Sequence, residues 1–160
     1  MDDAIKRFWG ALGAQSVDWS KMDWPSMSLK GSLDTLRESF QAASKSMELD
    51  LPELAEVSNL VVDGADEPLK ARLYVPLAAG IGPAPAIIFF HGGGFVIGDL
   101  DAYDTMCRRL AAGSRCRVLS IDYRLAPENK FPAAHKDALA VWDWVIDKGC
   151  LLYTSDAADD

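Results

Sequence analysis

Three consecutive glycines follow a strongly apolar segment of this chain. The apolar run ends at Phe90, His91 follows, and Gly92, Gly93 and Gly94 come next. Because glycine has no Cβ atom, such a run lets the backbone take positive φ angles and lets its N–H groups point into a cleft instead of pairing within a sheet. Two N–H groups aimed at one point can hold a negatively charged oxygen. The run therefore predicts a strand that ends in a tight loop able to accept an anion.

The residues after the glycines discriminate between kinds of site. A phosphate-binding loop needs a helix that opens directly after the glycines, with Lys or Ser/Thr nearby. Here Phe95, Val96 and Ile97 follow, and no Gly-Lys-Ser or Gly-Lys-Thr occurs. A metal site needs clustered ligands, but His91 and His135 lie far apart in the sequence and no Cys-x-x-Cys pair occurs. We therefore predict no cofactor and no metal.

Composition and charge exclude several classes of partner. The 160 residues are 49% hydrophobic, which is typical of a globular protein. A formal charge of −8 and a pI near 4.7 argue against nucleic acid, whose phosphates need a basic surface. No apolar stretch approaches membrane-spanning length, and the chain opens without an apolar leader core. Together with three sparse cysteines, Cys107, Cys116 and Cys150, this predicts a cytoplasmic protein with reduced thiols and no membrane span.

The first fifty residues carry a helical pattern. Apolar residues recur at helical spacing over 3–12 and again over 32–49, which predicts two amphipathic helices. Between them, large apolar residues stand among polar ones in a segment with neither period, namely Trp19, Met22, Trp24, Pro25 and Met27. These side chains could line a ligand entrance, but packing against the next domain is the favoured interpretation.

From residue 56 the pattern changes to strands alternating with helices. A turn-forming cluster separates strands predicted at 57–62 and 69–75, which indicates an antiparallel hairpin. The continuous apolar run 86–90 predicts a strand buried on both faces. The remaining elements are a helix over 101–112 with Asp101 as its N-cap, a strand over 117–123 and a helix over 131–146. This order predicts an α/β fold, with a leading antiparallel hairpin and then parallel strands.

Two motifs resemble those of a known family. His-Gly-Gly-Gly-Phe-Val-Ile-Gly, from His91 to Gly98, is followed by Asp-Tyr-Arg-Leu-Ala-Pro-Glu from Asp122 to Glu128 and by Phe-Pro-Ala-Ala from Phe131. Together these motifs are similar to those of the hormone-sensitive-lipase family of bacterial esterases, and the similarity covers roughly residues 57–147. The resemblance implies the N-terminal part of an α/β-hydrolase sheet over 51–149, with N-terminal cap helices over 1–50.

The resemblance also implies a chemistry. Members of the family cleave carboxylic esters with a serine nucleophile, an acid and a histidine base, using water as second substrate and no cofactor. Backbone N–H groups of the glycine loop hold the acyl oxyanion, which assigns Gly93 and Gly94 as donors, with Gly92 as a further candidate. The implied partner is a small-molecule ester, and the full-length parent is a possible homo-oligomer.

Other residues of the two motifs are expected to support the loop. In the family, the histidine before the glycines buttresses the loop by hydrogen bonding and is not the base, so His91 is assigned that role. A local polar network after the second predicted parallel strand is expected from Asp122, Tyr123, Arg124 and Glu128. His135 is expected to be a partly exposed helical histidine without a catalytic role.

The nucleophile of such an enzyme belongs in a Gly-x-Ser-x-Gly elbow, and none occurs in these 160 residues. The resemblance places the elbow after the helix that ends near Asp147, with the acid and the histidine later still. All three catalytic residues are thus expected downstream of Gly149. We therefore expect the chain to be truncated before its catalytic residues and inactive alone.

The last residues of the chain do not resemble the family. Residues 150–160 resemble instead the translation of a transposon-end adapter used for sequencing libraries. We therefore expect this tail to be non-native and the natural sequence to end near Gly149.

A second function is open on the same fold. Plant hormone receptors of this family bind small molecules without catalysis and tend to alter the catalytic residues. An intact nucleophile elbow with a later Asp and His favours an esterase, whereas a substituted serine or histidine favours a receptor.

Overall fold

The computed structural model describes residues 29–46, 51–79 and 85–148. The predicted helix at 3–12, the aromatic segment at 19–27 and the predicted tail at 150–160 lie outside the described residues. Gly149, where we expect the natural sequence to end, also lies outside them. The expectation that the nucleophile, acid and base lie downstream of Gly149 therefore stays a prediction.

The chain divides into two compact units, Met1–Ser39 and Phe40–Asp160. This division falls within the first described helix, α1 (Leu29–Ser46), which was predicted at 32–49. The predicted domain boundary at residue 50 stays a prediction.

A four-stranded mixed sheet forms the centre of the second unit. Its strands are β1 (Glu56–Asp63), β2 (Pro68–Val75), β3 (Ala86–Phe90) and β4 (Arg117–Ile121), in the spatial order β1-β2-β4-β3. A short 3₁₀ turn at Leu77–Ala79 follows β2, α2 (Asp104–Ser114) connects β3 to β4, and α3 (Ala133–Lys148) follows β4. The strands β1 and β2 form the predicted antiparallel hairpin, and β3 and β4 are parallel as predicted. The antiparallel pairing of β2 with β4 joins the two halves of the sheet.

Successive residues of β4 face opposite sides of the sheet, as the strand period requires. Leu119 lies in one core with Val141 of α3, whereas Val118 lies in a second core with Cys107 and Ala111 of α2. The helices α2 and α3 therefore cover opposite faces, which is the layered arrangement of an α/β protein. Burial in the second core raises the pKa of the Cys107 thiol to about 11, so this cysteine is a packing residue.

The prediction that β3 is buried on both faces is wrong. Ala86 is exposed, and Phe90 keeps 37% of its surface exposed. The reason is position: β3 is at one edge of this sheet, while β4, with a neighbour on each side, is buried along its whole length. An apolar run reports the hydrophobicity of a strand, but it does not report whether the strand lies at an edge.

The predicted start of α2 is also wrong. The helix begins at Asp104, and the side chain of its N-cap residue makes no cap bond. Asp101 instead forms an ion pair with Arg72 of β2 at 2.9 Å. Asp99 accepts a hydrogen bond from the Ala102 N–H at 2.7 Å, which stabilises the turn before the helix. The Asp101 carboxylate, which the local sequence pattern predicted as the helix cap, therefore pairs with Arg72 instead.

Smaller boundary differences occur after β4. The strand ends at Ile121 instead of 123, and α3 spans Ala133–Lys148 instead of 131–146. Among the helices within the described ranges, none combines the length and the apolar character needed to cross a membrane.

Candidate active site

The glycine loop, residues 91–98, begins where β3 ends. Since β3 and β4 are parallel, their carboxyl ends meet at the same edge of the sheet, where ligands bind in open α/β folds. The phenol of Tyr123, two residues beyond β4, donates a hydrogen bond to the backbone oxygen of His91 at 2.6 Å. The end of one parallel strand thus holds the start of the loop that follows the other.

Positive φ angles shape the glycine loop. The φ angles are 124° at Gly93, 62° at Gly94 and 103° at Gly98, and Phe95 also lies in the left-handed region at 63°. At Gly93 a Cβ atom would lie 2.0 Å from the backbone oxygen of Ile97, whereas at Gly94 it would meet no atom within 4 Å. Residue 93 must therefore be a glycine for two reasons: its φ angle is positive, and the Ile97 oxygen occupies the space that a Cβ atom would need.

The carbonyl groups of the loop are held, and this fixes the direction of its N–H groups. The Gly92 oxygen lies 2.8 Å from Nδ1 of His91. The Gly93 oxygen accepts hydrogen bonds from the N–H groups three and four residues later, at 3.1 Å each. In a trans peptide the N–H points opposite to the C=O, so the N–H groups of Gly93 and Gly94 point away from these bonds. Within the part of the chain that the structure describes, neither N–H has a protein partner.

His91 is a buried, stacked side chain. It is 3% exposed and lies between the rings of Tyr123 and Tyr103, with centroids 4.3 and 5.4 Å away and interplanar angles of 18° and 28°. A carbonyl can only accept, so the contact with the Gly92 oxygen requires a proton on Nδ1. A Cβ at Gly98 would lie 2.4 Å from that nitrogen. This placement suits support of the loop and leaves the ring enclosed.

Arg124 lies next to Tyr123 but points elsewhere. Its guanidinium pairs with Asp137 of α3 at 2.7 Å and with Asp66 of the hairpin turn at 2.7 Å. The carboxylate of Asp137 is fully buried and also accepts the N–H groups of Arg124 and Ala65. Arg124 therefore fixes the segment after β4 to α3 and to the hairpin, while Tyr123 fixes the glycine loop.

Asp122 and Glu128 occupy different surroundings. The N–H of Asp122 bonds to the Lys70 oxygen at 2.9 Å. Burial raises the pKa of the Asp122 carboxyl, and the nearby His91 partly offsets this. Asp122 and Asp99 both line a groove of about 380 Å³. Glu128 is exposed in the turn after β4. The residues of the predicted polar network thus contact different parts of the structure.

Two further observations concern possible ligands. His135 is exposed on α3, and its ring centroid lies 5.2 Å from that of Phe95 and 5.1 Å from that of Phe131. No three His, Cys, Asp or Glu side chains come together as metal ligands would in the ranges 29–46, 51–79 and 85–148.

Sequence reasoning missed two residues of the site, Tyr103 and Asp137. An aromatic residue near a helix start, such as Tyr103, is usually a core residue, and a single aspartate on a helix, such as Asp137, usually faces solvent. Neither residue could therefore be recognised from its sequence context. The role of Gly98 was recoverable, because an isolated glycine after an apolar triplet indicates a close backbone approach.

Comparison with known proteins agrees with this architecture. Residues 87–159 match a protein family described as having the alpha/beta hydrolase fold. The chain has the α/β-hydrolase fold. Its antiparallel hairpin and following parallel strands correspond to the N-terminal part of an α/β-hydrolase sheet. The match continues past Gly149, and the boundary of the natural sequence expected there stays a prediction.

Individual relatives confirm the resemblance to hormone-sensitive-lipase esterases. The α/β-hydrolase chain is 48% identical over 99 residues to the esterase LipI of Mycobacterium tuberculosis, covering 61% of this chain and 31% of LipI. It superposes on the esterase of Pyrobaculum calidifontis with a TM-score of 0.76 and 34% identity, covering 96% of this chain and 45% of that one. It is also 38% identical over 104 residues to the gibberellin receptor GID1C of Arabidopsis thaliana, covering 56% of this chain and 30% of the receptor. The chain thus spans less than half the length of each.

Proposed function

We propose that this chain supplies the oxyanion-stabilising part of a carboxylic ester hydrolase active site. The observation that carries the proposal is the pair of adjacent N–H groups at Gly93 and Gly94. Their peptide carbonyls are bonded within the loop, and the N–H groups have no protein partner among the described residues. Donors held in this way need no reorganisation when negative charge develops on a substrate oxygen.

The proposed chemistry is acyl transfer through an acyl-enzyme. A serine oxygen attacks the ester carbonyl carbon, the carbonyl oxygen becomes an oxyanion, and the alcohol leaves before water releases the acid. Hydrogen bonds that strengthen as the oxygen becomes charged stabilise the transition state more than the substrate. One such donor typically contributes about 10²–10³ in rate. The substrate is a small-molecule ester, and no cofactor is involved.

Gly92 is the weakest of the three candidate donors. A Cβ atom at Gly92 would lie 3.1 Å from the hydroxyl oxygen of Tyr103, so this residue faces a protein group. His91 is proposed as loop support, since its Nδ1 is engaged by the Gly92 oxygen and its ring is enclosed by two tyrosines. The nucleophile, acid and base are placed downstream of Gly149 on the resemblance alone.

Location and assembly stay predictions from the sequence. Sparse cysteines favour a cytoplasmic location. A homo-oligomer of the full-length parent is possible on the resemblance alone.

A receptor is the second candidate function. It is favoured by the 38% identity to the gibberellin receptor over 104 residues. In a receptor the two N–H groups of the glycine loop would hold a ligand oxygen that undergoes no reaction. The two functions therefore share the loop and differ in the nucleophile.

The 160-residue chain is expected to show no serine-dependent hydrolysis of p-nitrophenyl butyrate. It has no Gly-x-Ser-x-Gly elbow in which a serine could be activated. Release of p-nitrophenol and labelling by a fluorophosphonate are the measurements. Labelling of one specific serine within these residues would contradict the expectation.

A chimera tests the proposed function itself. The chain through Lys148 is joined to the nucleophile-bearing part of the Pyrobaculum calidifontis esterase, with the nucleophile serine changed to alanine as control. We expect serine-dependent ester hydrolysis from the chimera and none from the control. A folded chimera whose serine reacts with fluorophosphonate but which does not turn over esters would contradict the proposal and favour binding without catalysis.

A further inference from the structure

A compact turn joins the glycine loop to α2. This connecting turn, residues 99–104, directly follows Gly98. The Asp99 carboxylate accepts the Ala102 N–H at 2.7 Å, and the backbone oxygen of Asp101 accepts the Asp104 N–H at 3.3 Å. Because these bonds lie within the turn, a displacement of one of its residues is passed on to the others.

The two ends of the connecting turn contact His91. Gly98 packs so closely on it that an added Cβ would lie 2.4 Å from Nδ1 of His91 and 2.8 Å from the Gly92 oxygen. Tyr103, at the other end, stacks on the His91 ring with the two centroids 5.4 Å apart. A shift of the connecting turn would therefore remove the supports of the His91 ring and of the Gly92 carbonyl.

Arg72 of β2 holds the connecting turn from the opposite direction. Its guanidinium binds Asp101 through Nη2 and Asp104 through Nη1, each at 2.9 Å. Its Nε donates a hydrogen bond to Oδ1 of Asn59 in β1 at 2.7 Å. A planar guanidinium that is engaged at all three nitrogens has a fixed orientation. The two carboxylates of the turn are thereby held at fixed positions relative to the hairpin.

We propose that Arg72 is a positioning residue for the glycine loop. It fixes the connecting turn to the sheet through two carboxylates, and the turn keeps the His91 ring and the Gly92 carbonyl in place. The two N–H groups that follow this carbonyl are those proposed to meet the oxyanion. The placement of the turn stands on this chain alone, and its catalytic consequence rests on the proposed function.

Proton NMR of the 160-residue chain tests the placement. The chain has two histidines, His91 and His135, so their ring signals can be assigned separately. Arg72→Met removes the guanidinium, and the His91 ring protons should move downfield as the shielding by the stacked Tyr103 ring decreases. The signals of His135 on α3 should stay unchanged. An unchanged His91 signal in the folded Arg72→Met chain overturns the proposal.

Arg108→Met is the matched control. Arg108 binds the same Asp104 carboxylate at 2.6 Å, but it lies one turn further along α2 and does not join the helix to the sheet. The His91 signals should therefore stay in place, and a shift equal to that of Arg72→Met overturns the proposal. If Arg72→Met does not fold, Asp101→Ala decides. It removes only the more exposed carboxylate, so it should give a smaller downfield shift, and no shift overturns the proposal.

The catalytic consequence is tested in the esterase chimera. Arg72→Met should lower kcat per fluorophosphonate-titrated site by about 10- to 100-fold, because a displacement of about 1 Å can cost about 100-fold. KM should stay nearly unchanged, since the interaction acts on the transition state. A merely structural role would lower the number of titrated sites and leave kcat per site unchanged, and that result overturns the positioning role while the proposed function stands. If the chimera with Arg72 intact does not hydrolyse esters, the proposed function fails, and the NMR result decides the placement.

Discussion

Replacing Gly93 by alanine is expected to lower kcat of the esterase chimera by about 100-fold or more, the usual effect of losing one oxyanion donor. The residue has a φ of 124°, a conformation that L side chains rarely adopt. Its added Cβ would lie 2.0 Å from the Ile97 oxygen. The loop must therefore move, and the hydrogen bonds to the Gly93 oxygen that aim the next N–H are lost with it.

Gly113→Ala is the matched control for this substitution. Gly113 lies in α2, and a Cβ there would meet no atom within 4 Å. Alanine in such a helix is expected to stabilise the protein by about 0.4–1 kcal/mol and to leave kcat unchanged. Steady-state kinetics of p-nitrophenyl butyrate hydrolysis, normalised to titrated sites, give the comparison. A Gly93→Ala chimera with parental kcat would show that this loop does not hold the oxyanion.

Removing the carboxylate of Asp137 is expected to lower the free energy of unfolding by about 3–5 kcal/mol, because the Arg124 guanidinium loses its buried partner and keeps only the exposed Asp66. Asp137 is fully buried, and the side chain of Arg124 is 10% exposed. Asp137→Ala therefore leaves the guanidinium in a largely dry environment. The measurement is equilibrium unfolding in urea of the 160-residue chain.

Asp66→Ala provides the control at the same guanidinium. Asp66 pairs with Arg124 at 2.7 Å, but its side chain is 65% exposed. Exposed ion pairs contribute about 0–1 kcal/mol, so this variant should be nearly as stable as the unsubstituted 160-residue chain. Equal losses from Asp137→Ala and Asp66→Ala would mean that burial of Asp137 does not govern the energetics of the cluster.

The same carboxylate gives stability a dependence on acid pH. Burial raises the pKa of Asp137, but the hydrogen bonds from Arg124 lower it more, so its pKa lies below the ordinary 3.8. A lowered folded-state pKa means that the unfolded chain binds more protons at acid pH. The contribution is fully present above the unfolded pKa, about 3.9, and is lost as pH falls through the folded value.

Much of the sheet could be predicted from local patterns. The hairpin followed from a turn cluster between two β-rich runs, and the parallel pair β3 and β4 followed from a helical segment between two apolar runs. The edge position of β3 did not follow, because strand order depends on pairing between distant residues. The start of α2 was missed for a similar reason, since Arg72 lies far from Asp101 in sequence and engages its carboxylate.

The candidate active site, like the sheet, could be predicted from the sequence only in part. The glycines stand in a contiguous motif whose backbone freedom has a direct physical meaning, so Gly93 and Gly94 were found before the fold. The groups that contact the start of the loop come from other elements: Tyr123 beyond β4 donates a hydrogen bond to the His91 oxygen, and Tyr103 at the start of α2 stacks on the His91 ring. Their sequence context is that of ordinary core aromatics. A motif can therefore indicate the donors, while the contacts that aim the donors appear only in three dimensions.

A structure of the chimera with a phosphonate bound to its nucleophile serine tests the central claim most directly. The phosphonyl oxygen stands for the oxyanion of the acyl-transfer transition state. We predict that this oxygen lies about 2.7–3.1 Å from the backbone nitrogens of both Gly93 and Gly94, with Gly92 still facing Tyr103. A phosphonyl oxygen that contacts neither nitrogen, or that is held by the Gly92 N–H instead, would contradict the account.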